Sequence, residues 1–326
     1  MSTALVLLHG RSQQLPPTLR ADQARVRAHV EARKRSWLAG LTKGLALANR
    51  PPVDERDVYF PFYGNRIAEL VEDRIARGRP APELELDSAA PAGMRDQMVL
   101  EAAGRLGFDP ATELQFTDPE LAERVAEVSA EELNWSAGLK LPVVRAALQF
   151  IARKTGTAEF VIEEYLTDVA YYLTDREIRG SVLGIAREAF ATARKQHDAV
   201  VVVAHSLGTV VAYDLLQTAD TPRPVSALVT AGSPLGLPAV QHSLVGGTRN
   251  ARPPVPALDT DSNPRWTNAY DVTDVVALIH PLRDHFQGGP RAIRDVVTHN
   301  PTGPHSIEDY LSDPDVALAV SAATRN

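Results

Sequence analysis

The clearest candidate for chemistry is a serine that follows a run of apolar residues. The segment is Val200-Val-Val-Val-Ala-His-Ser206-Leu-Gly208. Its β-branched residues predict a buried strand, and the apolar stretch from Val210 to Leu216 predicts a helix directly after it. The chain must then turn sharply at Ser206, which would expose the serine hydroxyl beside the free N–H groups of a helix N-terminus. Such a serine suits nucleophilic catalysis, and an ordinary helix N-cap is the alternative.

The absence of cysteine narrows the possible chemistry. The chain has 326 residues and 0 Cys, which excludes disulfides, thiolate metal ligands and a cysteine nucleophile. Covalent catalysis must therefore use a hydroxyl, an amine or a carboxylate. With 44% hydrophobic residues, the chain can bury one large domain or a domain that carries an insertion.

The charge distribution argues against nucleic acid as a partner. The net charge is −7, and no stripe of lysine and arginine is interleaved with aromatic residues. The nearest exception is the cluster Arg33-Lys34-Arg35, which lies in a helical pattern beside Glu31. We expect this cluster to form a solvated helix face.

The first ten residues give an expectation for the cellular compartment of the protein. They are Met1-Ser-Thr-Ala-Leu-Val-Leu-Leu-His-Gly10, an apolar run without a basic leader. The run is too short for a signal peptide or a membrane span. The expectation is a cytoplasmic protein with no integral membrane segment, whose oligomeric state the sequence leaves open.

The N-terminal part of the chain predicts alternating strands and helices. Leu5 to Leu8 is a candidate strand, and apolar residues recur at helical spacing from Leu19 to about Leu47. A second strand is predicted over Asp57 to Phe62, followed by a helix that begins near Arg66. This order is β-α-β-α.

The middle of the chain shows only helical patterns. From residue 80 to residue 174 we find no convincing strand, and the strongest helix runs from Ala158 to Leu173. We therefore expect a helical cap insertion over 80–174, between core segments at 1–79 and 175–326.

The remaining elements return to strands and helices. Strands are predicted at residues 199–204, 225–230, 266–270 and 292–298, with a closing helix over 306–318 interrupted near Pro314. Alternating units with apolar strands predict an α/β fold built on a doubly wound, mainly parallel sheet with helices on both faces.

Several of these segments together resemble the α/β-hydrolase family, in particular its lipases and esterases. Ala-His-Ser206-Leu-Gly is similar to the G-x-S-x-G nucleophile elbow, with Ala204 in place of the first glycine. His9-Gly10 is similar to the H-G-x turn, and Ala231-Gly-Ser-Pro-Leu-Gly236 matches a further landmark of the fold. The resemblance covers nearly the whole chain except the insertion.

The resemblance implies a triad in the chain order serine, acid, histidine. It places the base on His305, at a loop-to-helix junction, and leaves His299 as the alternative. The segment Asn268-Ala-Tyr-Asp271-Val-Thr-Asp274-Val-Val-Ala277 is similar to the N-x-x-x-x-x-D-P-V-A stretch of lipases. That alignment places the acid on Asp274, and Asp271 stays open as the other candidate.

The resemblance also implies an oxyanion hole made by the backbone N–H groups of Leu207 and Arg11. The implied activity is hydrolysis of a carboxylic ester, from a small molecule or a lipid, without a metal or an organic cofactor. Amidase, thioesterase and peptidase activities use the same groups and remain alternatives. A protein that keeps the fold but only binds a partner is the non-enzymatic alternative.

Overall fold

The structure is a computed structural model. It describes the chain in eight ranges, which are residues 2–10, 13–77, 91–115, 118–127, 137–218, 225–248, 251–258 and 265–323.

A parallel sheet forms the centre of the molecule. Its six strands lie in the order β2-β1-β3-β4-β5-β6, and every neighbouring pair is parallel. The strands are β1 (Thr3–Leu8), β2 (Val58–Tyr59), β3 (Ala199–His205), β4 (Ala227–Ala231), β5 (Trp266–Asp271) and β6 (Ile293–Thr298). The predicted α/β class with a parallel sheet is confirmed.

The second predicted strand is much shorter than expected. It was predicted over residues 57–62, but β2 contains only Val58 and Tyr59. The aromatic residues that follow it pack instead around His9. The ring centroids of Phe60 and Phe62 lie 5.5 and 5.3 Å from that of the imidazole. The apolar run thus contributes to the surroundings of β1 rather than to the sheet edge.

Helices cover both faces of the sheet, as a doubly wound arrangement requires. In the described ranges they are α1 (Pro17–Arg20), α2 (Gln23–Leu47), α3 (Gly64–Ala76), α4 (Pro91–Arg105), α5 (Pro110–Leu114), α6 (Pro119–Ala126), α7 (Ala137–Thr155), α8 (Glu159–Thr174), α9 (Arg176–Gln196), α10 (Leu207–Thr218), α11 (Pro238–Ser243), α12 (Ile307–Ser312) and α13 (Pro314–Ala323).

Alternate residues of the strands separate two apolar clusters. In β1, Val6 and Leu8 face one cluster, which includes side chains from α3, α4 and α7 to α10. Leu5 and Leu7 face the other cluster, which is closed by α2, α12 and α13. This alternation follows from the two-residue repeat of a strand, and burial of both faces explains why the strands are almost entirely apolar.

The described part of the predicted insertion is helical. Helices α4, α7 and α8 belong to the same apolar cluster as one face of the sheet. A smaller cluster joins α5, α6 and the start of α7. The boundary between residues 79 and 80 lies outside the described residues, and α8 ends at Thr174. The division of the chain into core and cap stays a prediction.

The strand order creates a crevice next to β1. From β1 the chain crosses to β2 at one edge, and later it returns to β3 on the opposite side of β1. The carboxyl ends of β1 and β3 therefore lie side by side at the point where the direction of winding reverses. Ligand sites of open α/β sheets are typically found at this position.

Helix α2 packs very closely against the C-terminal helices. A Cβ atom at Gly44 would clash with the backbone oxygen of Leu311 in α12 and would lie 2.9 Å from the Cβ atom of Ala317 in α13. Only a residue without a side chain allows this contact. By contrast, a Cβ atom at Gly184 in α9 would meet nothing within 4 Å.

These two helical glycines give a matched test. We expect Gly44→Ala to lower the free energy of unfolding by about 1–3 kcal/mol, because it overpacks the α2 contact. Gly184→Ala should raise it by up to about 1 kcal/mol, since alanine favours an exposed helix interior. Urea denaturation followed by circular dichroism measures both, and equal effects at the two positions would contradict the close packing of α2.

Candidate active site

Ser206 occupies a strained turn between β3 and α10. Its φ angle is +55°, a left-handed conformation that residues other than glycine adopt at a cost of about 1–3 kcal/mol. The backbone N–H of Ser206 donates to the oxygen of Ala231 at 3.1 Å. Both the N–H and the hydroxyl of Thr209 donate to the oxygen of Ser206, at 2.9 and 2.7 Å. These bonds hold the turn from both sides.

Small residues around Ser206 are required by close backbone contacts. A Cβ atom at Gly208 would clash with the carbonyl oxygen of Leu8, so α10 crosses directly over the end of β1. A Cβ atom at Gly10 would lie 2.7 Å from the Cβ atom of Ser206. At Ala204 the methyl group is accommodated, since this residue is fully buried in the apolar cluster. Alanine thus fits where the family pattern has its first glycine.

His305 and Asp274 form a buried pair. The Nδ1 atom of His305 lies 2.8 Å from Oδ2 of Asp274, whose side chain is 0% exposed. Tyr310 donates its hydroxyl to the same oxygen at 2.7 Å, and the N–H of Val276 donates to Oδ1 at 2.9 Å. The carboxylate is fixed by these donors, so it can hold the imidazole in one orientation and tautomer.

The competing acid and base lie elsewhere. Asp271 accepts hydrogen bonds from the N–H and hydroxyl of Thr273 and from the N–H of Asn300. It therefore closes the turns after β5 and β6. His299 is exposed just beyond the end of β6. Of the candidates, the structure brings Asp274 and His305 together.

Ser206 and His305 line the same cavity. Its volume is about 170 Å³, and both side chains belong to its wall. The Nε2 atom of His305 is buried and has no hydrogen-bond partner among the described residues. Ser206 itself is only 2% exposed. The imidazole of His305 thus has Nδ1 bonded to the carboxylate of Asp274, while Nε2 can bond to another group in the cavity.

Gly232 makes room for the side chains of Asp274 and His305, which sequence reasoning did not anticipate. It follows β4 and has a φ angle of +56°. A Cβ atom there would lie 2.9 Å from Asp274 Oδ2 and from His305 Nδ1. In the sequence, this position served only as part of the landmark Ala231-Gly-Ser-Pro-Leu-Gly236, which does not show what faces Gly232.

Two histidines that the sequence analysis named only as parts of motifs, His9 and His205, are buried near the site. The pKa of His9 is lowered to about 4, mainly by burial. Its Nε2 atom accepts from the N–H of Tyr63 at 3.1 Å, so its Nδ1–H donates to the oxygen of Gly10 at 2.6 Å. His205 is likewise buried, which holds its pKa well below the ordinary value, and its ring lies 4.4 Å from that of His305.

Of the two expected oxyanion donors, the structure describes Leu207 but not Arg11. Leu207 is the first residue of α10 and is fully buried. Its N–H is one of the first four helical amides, which have no partner within the helix. Arg11 lies outside the described residues. Gly10, which precedes it, has its carbonyl oxygen held by His9.

Among the described residues of the predicted insertion, Tyr165 reaches the site. Tyr165 of α8 lines the cavity, and its ring meets that of His305 edge-on at 4.6 Å. The helical region therefore forms part of the wall around the candidate catalytic residues, and this wall shapes what the cavity can admit.

The basic cluster Arg33-Lys34-Arg35 is not uniformly solvated. Arg35 is exposed, but Arg33 is half-buried and lines the cavity beside Ser206. The expectation of a solvated face is therefore wrong for Arg33. The reason is tertiary, since packing of α2 against α12 turns this part of the helix towards the site.

Within the described ranges, no group of three or more histidine, aspartate or glutamate side chains is placed to hold a metal ion. Among the same residues, no helix combines the length and apolar character needed to cross a bilayer.

Comparisons with protein-family models, with curated proteins and with solved structures find no match to this chain.

The burial of His9 predicts a specific loss of stability in acid. Its pKa in the folded protein, about 4, is below its ordinary value of 6.5. The contribution of neutral His9 to the free energy of unfolding is therefore complete above about pH 6.5. It is lost as the pH falls towards 4, because the histidine of the unfolded chain takes up a proton at a higher pH than that of the folded chain. Between pH 7 and pH 4.5, we expect the free energy of unfolding to fall by about 2 kcal/mol more in the wild type than in His9→Gln.

Urea denaturation at the two pH values measures this difference. His299→Gln, at an exposed histidine, is the control and should follow the wild type. The same loss of stability in His9→Gln and in the wild type would contradict a neutral, buried His9.

Proposed function

We propose that this protein is a serine hydrolase of the α/β-hydrolase fold that cleaves a carboxylic ester through an acyl-enzyme. The main support is one arrangement: the strained Ser206 turn shares a cavity with His305, whose Nδ1 is paired with the buried Asp274. An N-cap serine needs no such partner. The parallel sheet, with the serine turn after a central strand, also fits this fold.

The reaction begins with attack by the serine oxygen. Oγ of Ser206 forms a bond to the ester carbonyl carbon while its proton moves to Nε2 of His305. Collapse of the tetrahedral intermediate breaks the bond to the alcohol oxygen, which takes the proton from His305. Water then attacks the acyl-enzyme with His305 again as base, and the acid is released as Ser206 recovers its proton.

Charge stabilisation completes the mechanism. The carbonyl oxygen becomes negative in each tetrahedral intermediate, and we assign its stabilisation to the N–H groups of Leu207 and Arg11. Asp274 keeps the proton on Nδ1 of His305 and stabilises the imidazolium. Because the hydroxyl of Tyr310 also donates to Asp274, the carboxylate keeps its position when the charge on the imidazole changes.

Reaction with a fluorophosphonate probe tests the nucleophile. We expect covalent labelling of the wild type and none of Ser206→Ala, because only an activated serine attacks the phosphorus. Ser233→Ala is the matched control and should be labelled, since the Ser233 hydroxyl is bonded within the protein to the N–H of Leu235 and the hydroxyl of Thr209. A folded wild-type protein that is not labelled would overturn the proposal and favour a protein that only binds a partner.

Substitution of the two aspartates tests the acid. Asp274→Asn should lower kcat/KM for 4-nitrophenyl acetate by about a thousandfold or more, because the amide stabilises the wrong tautomer of His305. Asp271→Asn should lower stability to urea through its turn contacts and reduce turnover far less. A large loss of kcat/KM in Asp271→Asn and a small one in Asp274→Asn would refute the assignment of the acid to Asp274.

A further inference from the structure

The cavity beside Ser206 is small. Its volume of about 170 Å³ is below the range of about 300–1,000 Å³ for sites that enclose drug-sized ligands. A cavity of about 150 Å³ holds one benzene molecule. The space within these walls therefore fits a short-chain ester.

Among the residues that the structure describes, two with charged side chains, Arg33 and Glu308, line this cavity, and Glu308 already accepts hydrogen bonds within the protein. The carboxylate of Glu308 accepts from the hydroxyl of Ser36 at one oxygen and from the hydroxyl of Ser306, at 3.4 Å, at the other. Both of its oxygens are thus engaged with hydroxyl donors that belong to the protein.

Arg33 has no comparable partner. It lines the cavity from α2 and is half-buried, and among the described residues it forms neither a salt bridge nor a hydrogen bond. A guanidinium group has five N–H donors in a planar fork that matches a carboxylate. In a partly desolvated cavity, such a bidentate contact is stronger than in open water.

The remaining walls favour a short hydrocarbon segment. Trp37 and Ile307 are buried and apolar, and Tyr165 presents its ring next to His305. A ligand that fits all of these surfaces has a few carbon atoms between a reactive carbonyl at Ser206 and a negative group at Arg33.

We propose that this cavity selects small esters that carry a carboxylate, with Arg33 as the residue that binds the carboxylate. This inference rests on the proposed ester hydrolysis at Ser206. It adds the substrate class and a specificity-determining side chain. A cationic ester drawn to Glu308 is the opposite outcome, which the experiment below distinguishes.

The test compares esters that differ in charge. The anionic substrates are monomethyl glutarate, with the carboxylate on the acyl part, and acetoxyacetate, with it on the alcohol part. Methyl pentanoate is the neutral substrate and methyl 4-(trimethylammonio)butyrate the cationic one. We expect the wild type to prefer at least one anionic ester in kcat/KM, measured as acid release.

Variants of α2 assign the preference to Arg33. Arg33→Gln should lower the ratio of kcat/KM for the preferred anionic ester to that for methyl pentanoate by about 30-fold, the usual effect of losing a hydrogen-bonded ion pair. Arg33→Lys should lower it less, since the charge stays but the fork is lost. Arg35→Gln removes an exposed charge from the same helix and should leave the ratio unchanged.

The outcomes separate this inference from the proposed function. A wild-type preference for the neutral or cationic ester, or an unchanged ratio in Arg33→Gln, would overturn the inference while leaving ester hydrolysis intact. Calorimetric titration of Ser206→Ala with monomethyl glutarate and acetoxyacetate, with and without Arg33→Gln, measures binding without turnover. Binding that depends on Arg33, together with a wild-type protein that fluorophosphonates do not label, would support anion binding and refute the hydrolase. Failure of Ser206→Ala to bind either ester would overturn the inference.

Discussion

The close crossing of α10 over the end of β1 is the contact on which the candidate site depends. No side-chain carbon fits at Gly208, because the carbonyl oxygen of Leu8 occupies that space. The crossing brings the start of α10 to the strand end that carries Gly10, and Gly10 in turn leaves room for the side chain of Ser206. The strained φ angle of the serine is tolerated because hydrogen bonds from both neighbouring elements hold its backbone.

Helix α2 connects the stability of the fold with the shape of the site. Its close contact at Gly44 fixes α12 and α13, and α12 begins two residues after His305. The same helix brings Trp37 and Arg33 to the cavity wall. A change in how α2 packs would therefore move both His305 and the cavity wall that Trp37 and Arg33 form.

Burial keeps two histidines near the site uncharged, and this affects the third. His9 and His205 both have lowered pKa values because they are desolvated. A positive charge on either ring would disfavour the imidazolium that the proposed mechanism requires at His305. Their neutral state leaves Asp274 as the charged group in direct contact with His305.

The sequence by itself determined the parallel α/β class and the turn at Ser206, because buried β-branched strands and small turn residues are local features. It left Asp271 and Asp274 as alternatives, since both lie at the C-terminal end of the same predicted strand. Only the tertiary structure paired Asp274 with His305, 31 residues away, because that choice depends on the paths of two loops. The position of Arg33 in the cavity wall was likewise decided by the packing of α2 against α12. This packing cannot be deduced from the residues next to Arg33 in the sequence.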